Sequence, residues 1–200
     1  MLIKDIAQLL LTEIKQRSTL VLAIDGRCAA GKTTLAARLA ELCDCNVIHM
    51  DHFFLCSKQN TMERLQQAGG NMDYVRFCEE ILIPLHEGRK FSYRPFNCHK
   101  QEMGKPILVF PKNLTIVEGS YSCHPVLKDY YDLSVFLDVE ATKQIQRIRL
   151  RNGEDGVLMF QERWRTPIFI RSVFRKNVIY ILKLKEGFEL KIFSEDTGYD

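Results

Sequence analysis

The hydrophobic residues of this chain fall into short continuous runs, and amphipathic stretches separate one run from the next. Each run has the length and composition of a strand that is buried in a parallel sheet. The runs occupy residues 20–24, 46–50, 114–117 and 133–139. Because strands of this kind alternate with helical segments along the chain, the pattern predicts an α/β fold.

The segments between and after these runs are predicted to form helices and one further strand. Residues 1–17 are amphipathic and are predicted to form a helix that packs on the domain. Another helix is expected over residues 74–87, where Pro84 predicts a kink or an early end. Towards the C-terminus, apolar spacing predicts a long helix over residues 168–185 and an edge strand over residues 188–193.

Composition and charge favour one globular domain over residues 1–200. The net charge of +3 is too small to indicate a nucleic-acid partner.

No apolar run approaches the length of a membrane span, and the N-terminal segment does not resemble a signal peptide, so no membrane partner is expected. The seven cysteines are dispersed and odd in number, which favours reduced thiols in a cytoplasmic protein. Association into a homo-oligomer is left open.

A glycine-rich motif follows the first strand directly. From Gly26 the sequence reads Gly-x-x-x-x-Gly-Lys-Thr, and leucines at helical spacing begin at Leu35. A strand, a glycine loop and a helix in this order predict a loop whose backbone N–H groups hold phosphates. Lys32 is expected to reach the β- and γ-phosphates of a nucleotide, and the Thr33 hydroxyl is expected to bind Mg²⁺. The predicted nucleotide contacts in this loop are Gly26, Arg27, Cys28, Ala29, Ala30, Gly31, Lys32, Thr33 and Thr34.

Two acidic residues end predicted strands near this loop. Asp51 follows the run 46–50, and Glu118 follows the run 114–117. Because the carboxyl ends of parallel strands meet at one edge of a sheet, both carboxylates are expected near the phosphates. Glu118 is predicted to act on Mg²⁺ directly or through water. Asp51 is predicted to orient Mg²⁺ or to accept a proton from an attacking hydroxyl, and its alternative role is a helix cap or turn residue.

Two further segments have compositions that suit the covering of a substrate. Residues 91–110 are rich in aromatic and hydrogen-bonding side chains and are predicted to form a β-hairpin, either as a substrate arm or as an exposed hairpin. Residues 147–167 are rich in arginine and are predicted to form a helical lid that closes over phosphates. The alternative for these arginines is a solvated helix face.

Together these elements resemble the uridine kinase and phosphoribulokinase branch of the P-loop kinases, with nicotinamide riboside kinases as close relatives. The resemblance rests on Ile-Asp-Gly-x4-Gly-Lys-Thr-Thr at 24–34, Met-Asp-His-Phe-Phe at 50–54, Asp73, and Ile-Val-Glu-Gly at 116–119. It implies a three-layer P-loop NTPase fold with a mostly parallel five-stranded sheet, a helical lid and a small β-hairpin substrate arm. It also implies ATP and Mg²⁺ as cofactors.

The resemblance assigns roles to individual residues. It implies that Asp51 is the general base and that Asp73 grips sugar hydroxyls. It places Arg147 and Arg151 where lid arginines contact ATP. The implied acceptor contacts are Asp51, Phe53, Asp73, Tyr93, Phe96 and His99. The implied catalytic residues are Lys32, Asp51 and Arg151, and the implied metal-linked residues are Thr33, Asp51 and Glu118.

The predicted function is transfer of the γ-phosphate of ATP to a hydroxyl of a nucleoside or related riboside, as in uridine kinases. One alternative is a nucleoside monophosphate kinase, which would need more basic groups facing the acceptor phosphate. Another is a non-catalytic P-loop protein or regulatory ATPase. A GTPase is disfavoured because the chain contains no Asn-Lys-x-Asp element.

Overall fold

The computed structural model of this chain describes residues 3–163, 179–185 and 187–193. A six-stranded sheet forms its centre. In spatial order the strands are β2 (Asn46–His49), β7 (Leu114–Glu118), β1 (Leu20–Gly26), β8 (Leu133–Val139), β9 (Ile179–Lys185) and β10 (Gly187–Phe193). The first five are parallel, and β10 pairs with β9 in the antiparallel direction.

This architecture confirms the predicted α/β fold and corrects two details of it. Within the described residues the sheet has six strands rather than five. Residues 179–185 form β9, so the helix predicted over 168–185 is wrong for these residues, and residues 168–178 lie outside the described part of the chain. The backbone of β9 pairs with β8 on one side and β10 on the other, and the non-local pairing with β8 outweighs the local apolar spacing. The edge strand predicted over 188–193 is present as β10.

Helices occupy most of the connections between strands. In chain order they are α1 (Ile3–Lys15), α2 (Lys32–Leu42), α3 (Met62–Leu65), α4 (Tyr74–Phe77), α5 (Ile83–His86) and α6 (Ala141–Arg163). A π-helical turn, Cys78–Leu82, joins α4 to α5, so the irregularity predicted near Pro84 takes this form. Helix α6 is interrupted at Gly153, where φ is 72°. None of the helices within the described residues is both long enough and apolar enough to cross a bilayer.

Two hydrophobic clusters lie on opposite faces of the sheet and give the molecule three layers. On one face, α1 and α2 bury their apolar sides against β1, β7 and β8. The α1 contribution comes from Ile6, Ala7, Leu10 and Leu11, the face that the amphipathic pattern predicts. On the other face, the segment from β2 to α5 packs its aromatic and aliphatic residues against the sheet. Both faces of the central strands are therefore covered, as parallel strands require.

A two-part β-hairpin leaves this second layer. Its outer pair is β3 (Phe91–Tyr93) with β6 (Ile107–Val109), and its inner pair is β4 (Phe96–Asn97) with β5 (Glu102–Met103). Both pairs are antiparallel, so the hairpin expected over residues 91–110 is present.

Candidate active site

The glycine loop lies between β1 and α2, at the carboxyl end of the sheet. Three of its residues have positive φ angles, which are 149° at Gly26, 59° at Ala29 and 103° at Gly31. A Cβ atom at Gly26 would lie 2.2 Å from the Leu137 carbonyl oxygen of the neighbouring strand β8. Glycine is therefore needed at position 26 because the two backbones approach too closely for any side chain.

Lys32 begins α2 and folds its side chain back into the loop. Its Nζ atom donates to the carbonyl oxygens of Gly26 at 2.9 Å and Arg27 at 3.0 Å. It also donates to the Ser120 hydroxyl at 3.3 Å. The side chain is 9% exposed, so the ammonium group is held within the loop by backbone oxygens.

Glu118 ends β7 and lies in register with Ile24 of β1 and His49 of β2. The Thr33 hydroxyl donates to both of its carboxylate oxygens, each at 3.2 Å. His49 Nδ1 lies 2.6 Å from Glu118 Oε1. This hydrogen bond raises the pKa of His49 above its ordinary value, although burial of the imidazole opposes the shift. Thr33 and Glu118, which the sequence predicts at a common metal site, are thus in direct contact.

Asp51 lies in a 3₁₀ turn, Met50–Phe53, that follows β2 directly. Its side chain lines a cavity of about 900 Å³ that is also lined by Lys32, Thr33 and Glu118. Removal from bulk water raises the pKa of the Asp51 carboxyl, while the positive charge of Lys32 opposes that shift. The structure therefore brings Asp51 to the same cavity as the loop, and the carboxyl keeps contact with solvent through the cavity mouth.

Helix α6 contacts the glycine loop from the other side. Gln144 Nε2 donates to the Cys28 carbonyl oxygen at 3.0 Å, and Arg147 Nη1 donates to the Ala29 carbonyl oxygen at 3.1 Å. Arg151 Nη2 lies 3.5 Å from Cys28 Sγ, and its positive charge, like that of Lys32, opposes the burial-driven rise in the pKa of Asp51. Both arginines that the resemblance selects therefore line the cavity. Positions 164–167 of the predicted lid lie outside the described residues.

Asp25 is a site residue to which the sequence reasoning gave no role. Its carboxylate is 2% exposed and accepts from the backbone N–H groups of Gly26 (2.6 Å), Tyr121 (3.1 Å) and Cys123 (3.0 Å). Burial raises its pKa, and the Lys32 charge opposes the shift. Asp25 connects the start of the glycine loop to the segment that follows Glu118. The signal in the sequence is a single acidic residue at the end of a buried apolar strand.

The residues predicted to contact an acceptor are divided between several places. Of Asp51, Phe53, Asp73, Tyr93, Phe96 and His99, only Asp51 lines the described cavity. Phe53 is fully buried, stacks on Tyr93 at 5.4 Å and meets Phe77 edge-on at 4.9 Å between ring centroids. The Asp73 carboxylate caps α4 by accepting from the Arg76 backbone N–H at 3.1 Å.

Three of the predicted contacts, Tyr93, Phe96 and His99, lie on the hairpin. Phe96 is 8% exposed, and His99 is exposed in the turn between β4 and β5. The structure thus buries Phe53 and Tyr93 in its second layer and also buries Phe96.

Part of the cavity wall consists of residues that sequence reasoning missed. They are Phe54 and residues of the segment from Asn60 to Asn71, which include Asn60, Gln67 and Asn71. Phe54 lies next to the buried Phe53 but points to the cavity, because the chain turns at this point. The polar composition of the segment and its Gly69-Gly70 pair indicate a loop, but no local pattern shows that it faces Asp51.

Solved structures with the same fold come from several kinds of kinase. The chain is similar to a possible uridine kinase from Bacillus stearothermophilus, with 20% identity, a TM-score of 0.59, and coverage of 80% of this chain and 91% of that one. It is similar to a fructose transport system kinase described as putative from a Silicibacter species, with 23% identity, a TM-score of 0.59, and coverage of 80% and 89%. It is also similar to D-glycerate 3-kinase from Cryptococcus neoformans, with 13% identity, a TM-score of 0.62, and coverage of 96% and 99%.

At these identities the structural neighbours establish the fold, and the sequence establishes the family. The sequence model of the phosphoribulokinase/uridine kinase family matches residues 21–159, which include the glycine loop, Asp51, Glu118 and the first part of α6. This match extends over more than half of the chain. The protein therefore belongs to the phosphoribulokinase/uridine kinase family.

Proposed function

We propose that this protein transfers the γ-phosphate of ATP to a hydroxyl group of a small molecule, and that the acceptor is a nucleoside or a related riboside. The observation that carries the proposal is the position of Asp51, whose carboxyl faces the same cavity as Lys32, Thr33 and Glu118. A carboxylate beside a phosphate-binding loop is placed to act on an acceptor hydroxyl rather than on the nucleotide alone.

Residues of the glycine loop and of α6 bind ATP, the phosphate donor. Backbone N–H groups of the loop and the N-terminus of α2 bind the phosphates. Lys32 leaves its present carbonyl partners to contact the β- and γ-phosphates. Arg147 and Arg151 line the cavity from α6, and their guanidinium groups stabilise negative charge on the phosphoryl group being transferred.

The residues near the loop fit a magnesium ion. The Thr33 hydroxyl and the Glu118 carboxylate are hard oxygen donors that already contact each other. Within the described residues, no group of three or more His, Cys, Asp and Glu side chains could hold a metal ion alone. This agrees with Mg²⁺, which is held in kinases by few protein ligands together with the phosphates. When bound, the ion neutralises phosphate charge.

On the acceptor side, Asp51 binds and orients the reacting hydroxyl and accepts its proton. A base is most effective when its pKa lies near the working pH, and partial burial moves the pKa of Asp51 in that direction. The carboxamides of Asn60, Gln67 and Asn71 can exchange hydrogen bonds with the hydroxyl and amide groups of a riboside. Closure of the cavity excludes water, which would otherwise compete as the acceptor.

Within the described residues, the distribution of charge around the cavity favours an acceptor without a phosphate group. The cationic side chains that line the cavity in this part of the chain are Lys32, Arg147 and Arg151, and all three lie on the loop or α6. The lining residues between positions 60 and 71 contribute amides and apolar groups. A monophosphate kinase would need further cations to bind the acceptor phosphate.

The proposal is tested by the Asp51→Asn variant in a radiolabelled ATP assay with nucleosides, nicotinamide riboside, pantothenate, nucleoside monophosphates and sugar phosphates as acceptors. We expect the wild-type protein to phosphorylate a riboside. In the variant, kcat should fall by about 10²-fold or more because the proton acceptor is lost, whereas ATP affinity should stay within about threefold.

Asp129→Asn is the matched control because Asp129 is exposed and lies far along the chain from the loop. It should retain wild-type turnover. Full turnover in Asp51→Asn would contradict the role of Asp51. A wild-type protein that binds ATP but phosphorylates none of these acceptors would instead support a non-catalytic nucleotide-binding protein.

A further inference from the structure

The His49 side chain occupies a distinctive position at the edge of the candidate active site. His49 is the last residue of β2 and pairs in register with Glu118, the last residue of β7. Their side chains therefore leave adjacent parallel strands at the same level. His49 Nδ1 lies 2.6 Å from Glu118 Oε1, whose side chain is only 6% exposed.

The two partners of Glu118 constrain it differently. Thr33 contacts both carboxylate oxygens at the same distance of 3.2 Å, so this contact does not distinguish one oxygen from the other. His49 contacts Oε1 alone. The bond to His49 therefore adds a directional contact on the β2 side, which restrains the rotation of the carboxylate plane about its Cγ–Cδ bond.

A second carboxylate lies at the same cavity. Asp51 and Glu118 both line it, so their negative charges repel each other. A hydrogen-bond donor on the β2 side offsets this repulsion at Glu118. A hydrogen bond from His49, whose side chain is 38% exposed, to one oxygen of the buried Glu118 carboxylate opposes rotation of that carboxylate.

We infer that His49 is a positioning residue, which holds the Glu118 carboxylate in the orientation that supports magnesium-dependent nucleotide binding. The inference rests on the proposed function, in which Glu118 is linked to Mg²⁺. Partners of this kind commonly change metal affinity by 10- to 100-fold when they are removed. His49 acts through Glu118 and requires no contact of its own with the nucleotide.

The test measures how much magnesium improves nucleotide binding. The dissociation constant of a non-hydrolysable ATP analogue is measured by calorimetry with excess MgCl₂ and again in EDTA, and the ratio of the two values is the magnesium gain. In His49→Phe, which keeps a ring but removes the donor, we expect the gain to fall by about tenfold or more. The EDTA value should stay within about threefold, because the loop itself is unchanged.

His49→Asn provides the rescue, since its side-chain amide can place an N–H near the position of Nδ1. It should keep a magnesium gain within about threefold of wild type. His86→Phe is the matched control. It removes an exposed imidazole of α5 whose Nε2 contacts the Tyr130 carbonyl oxygen at 3.1 Å, away from Glu118. This control should leave the gain unchanged.

The outcomes separate the inference from the proposed function. If His49→Phe kept the magnesium gain of the wild-type protein, the positioning role would be overturned. The same would follow if His49→Asn lost as much of the gain as His49→Phe. A variant that also loses affinity in EDTA would show a general disruption of the loop and would overturn the inference as well. Absence of any magnesium gain in the wild-type protein would contradict the proposed magnesium site itself.

Discussion

At the scale of single residues, Asp25 is an important structural link around the candidate site. One buried carboxylate accepts three backbone N–H groups, from Gly26 in the loop and from Tyr121 and Cys123 after β7. Because Glu118 ends β7, Asp25 fixes the separation between the phosphate-binding loop and the segment that carries Glu118. Burial raises the pKa of Asp25, and the Lys32 charge and the three N–H donors offset part of the cost of keeping its charge away from water.

We expect Asp25→Ala to lower the free energy of unfolding by about 3 kcal/mol. Each buried N–H that loses its acceptor lowers the free energy of unfolding by about 1–3 kcal/mol. Removal of the buried negative charge raises it again in part, because that charge no longer has to be kept away from water. Asp25→Asn should cost less, because it keeps one oxygen acceptor. Urea denaturation measures both values.

The control for this prediction is Asp132→Ala. The Asp132 carboxylate accepts the Val21 N–H at 2.7 Å near the opposite end of β1, but the residue is exposed. Water can replace this acceptor, so the loss should be below about 1 kcal/mol. Equal losses at the two positions would contradict the importance given to burial at Asp25.

At the scale of elements, Arg76 of α4 connects the turn that carries Asp51 to the β-hairpin. Its Nη2 atom donates to the carbonyl oxygens of His52 at 3.0 Å and Arg94 at 2.9 Å. The guanidinium carbon also lies 4.3 Å from the centroid of the Phe53 ring. Hydrogen bonds from a charged donor are stronger than neutral ones, so this side chain is well suited to hold the hairpin in place.

We predict that Arg76→Met loosens the hairpin without unfolding the domain. Hydrogen exchange of the backbone amides in residues 91–109 should become about tenfold faster or more, because the two carbonyl contacts are lost. Exchange in α1 should not change. The measurement is hydrogen–deuterium exchange followed by mass spectrometry.

Arg89→Met is the matched control, since Arg89 is exposed and pairs with Glu87 at the surface. A surface pair of this kind contributes little, so hairpin exchange should stay at the wild-type rate. Unchanged exchange in Arg76→Met would show that the apolar contacts of the hairpin hold it without the arginine.

At the scale of the whole molecule, the nucleotide site joins parts that are distant in the sequence. The loop follows β1, Glu118 ends β7, and Arg147 and Arg151 come from α6 after β8. A ligand that contacts all of these parts stabilises the folded state over the unfolded chain.

We therefore expect ATP with Mg²⁺ at about 100 times its dissociation constant to stabilise the protein by about 2.7 kcal/mol. For a chain of this size, the corresponding rise in Tm is about 5–10 °C.

Lys32→Met should lose most of this rise in Tm at the same ATP concentration, because the phosphate contact is removed. Differential scanning fluorimetry gives the shift, and exposed Lys128→Met serves as a control that keeps it. If Lys32→Met kept the full rise in Tm, ATP would have to bind without the Lys32 contact, which would contradict the proposed site.

The sequence by itself determined the order of the central strands along the chain, the glycine loop and the two acids at the edge of the sheet. These features are local, since a strand reveals itself by an apolar run and a loop by glycine spacing. Because parallel strands align their carboxyl ends, chain order alone was enough to bring Asp51 and Glu118 towards the loop.

Only the tertiary structure decided the features that depend on which segments meet. Pairing with β8 made residues 179–185 a strand, and packing between Phe77 and Tyr93 buried Phe53 instead of leaving it at the cavity. The same is true of the Tyr121 and Cys123 N–H groups on Asp25, the amide side chains that line the cavity, and the register that sets His49 against Glu118. Each of these contacts joins residues far apart in the chain, and their energies come from burial and pairing that no local pattern records.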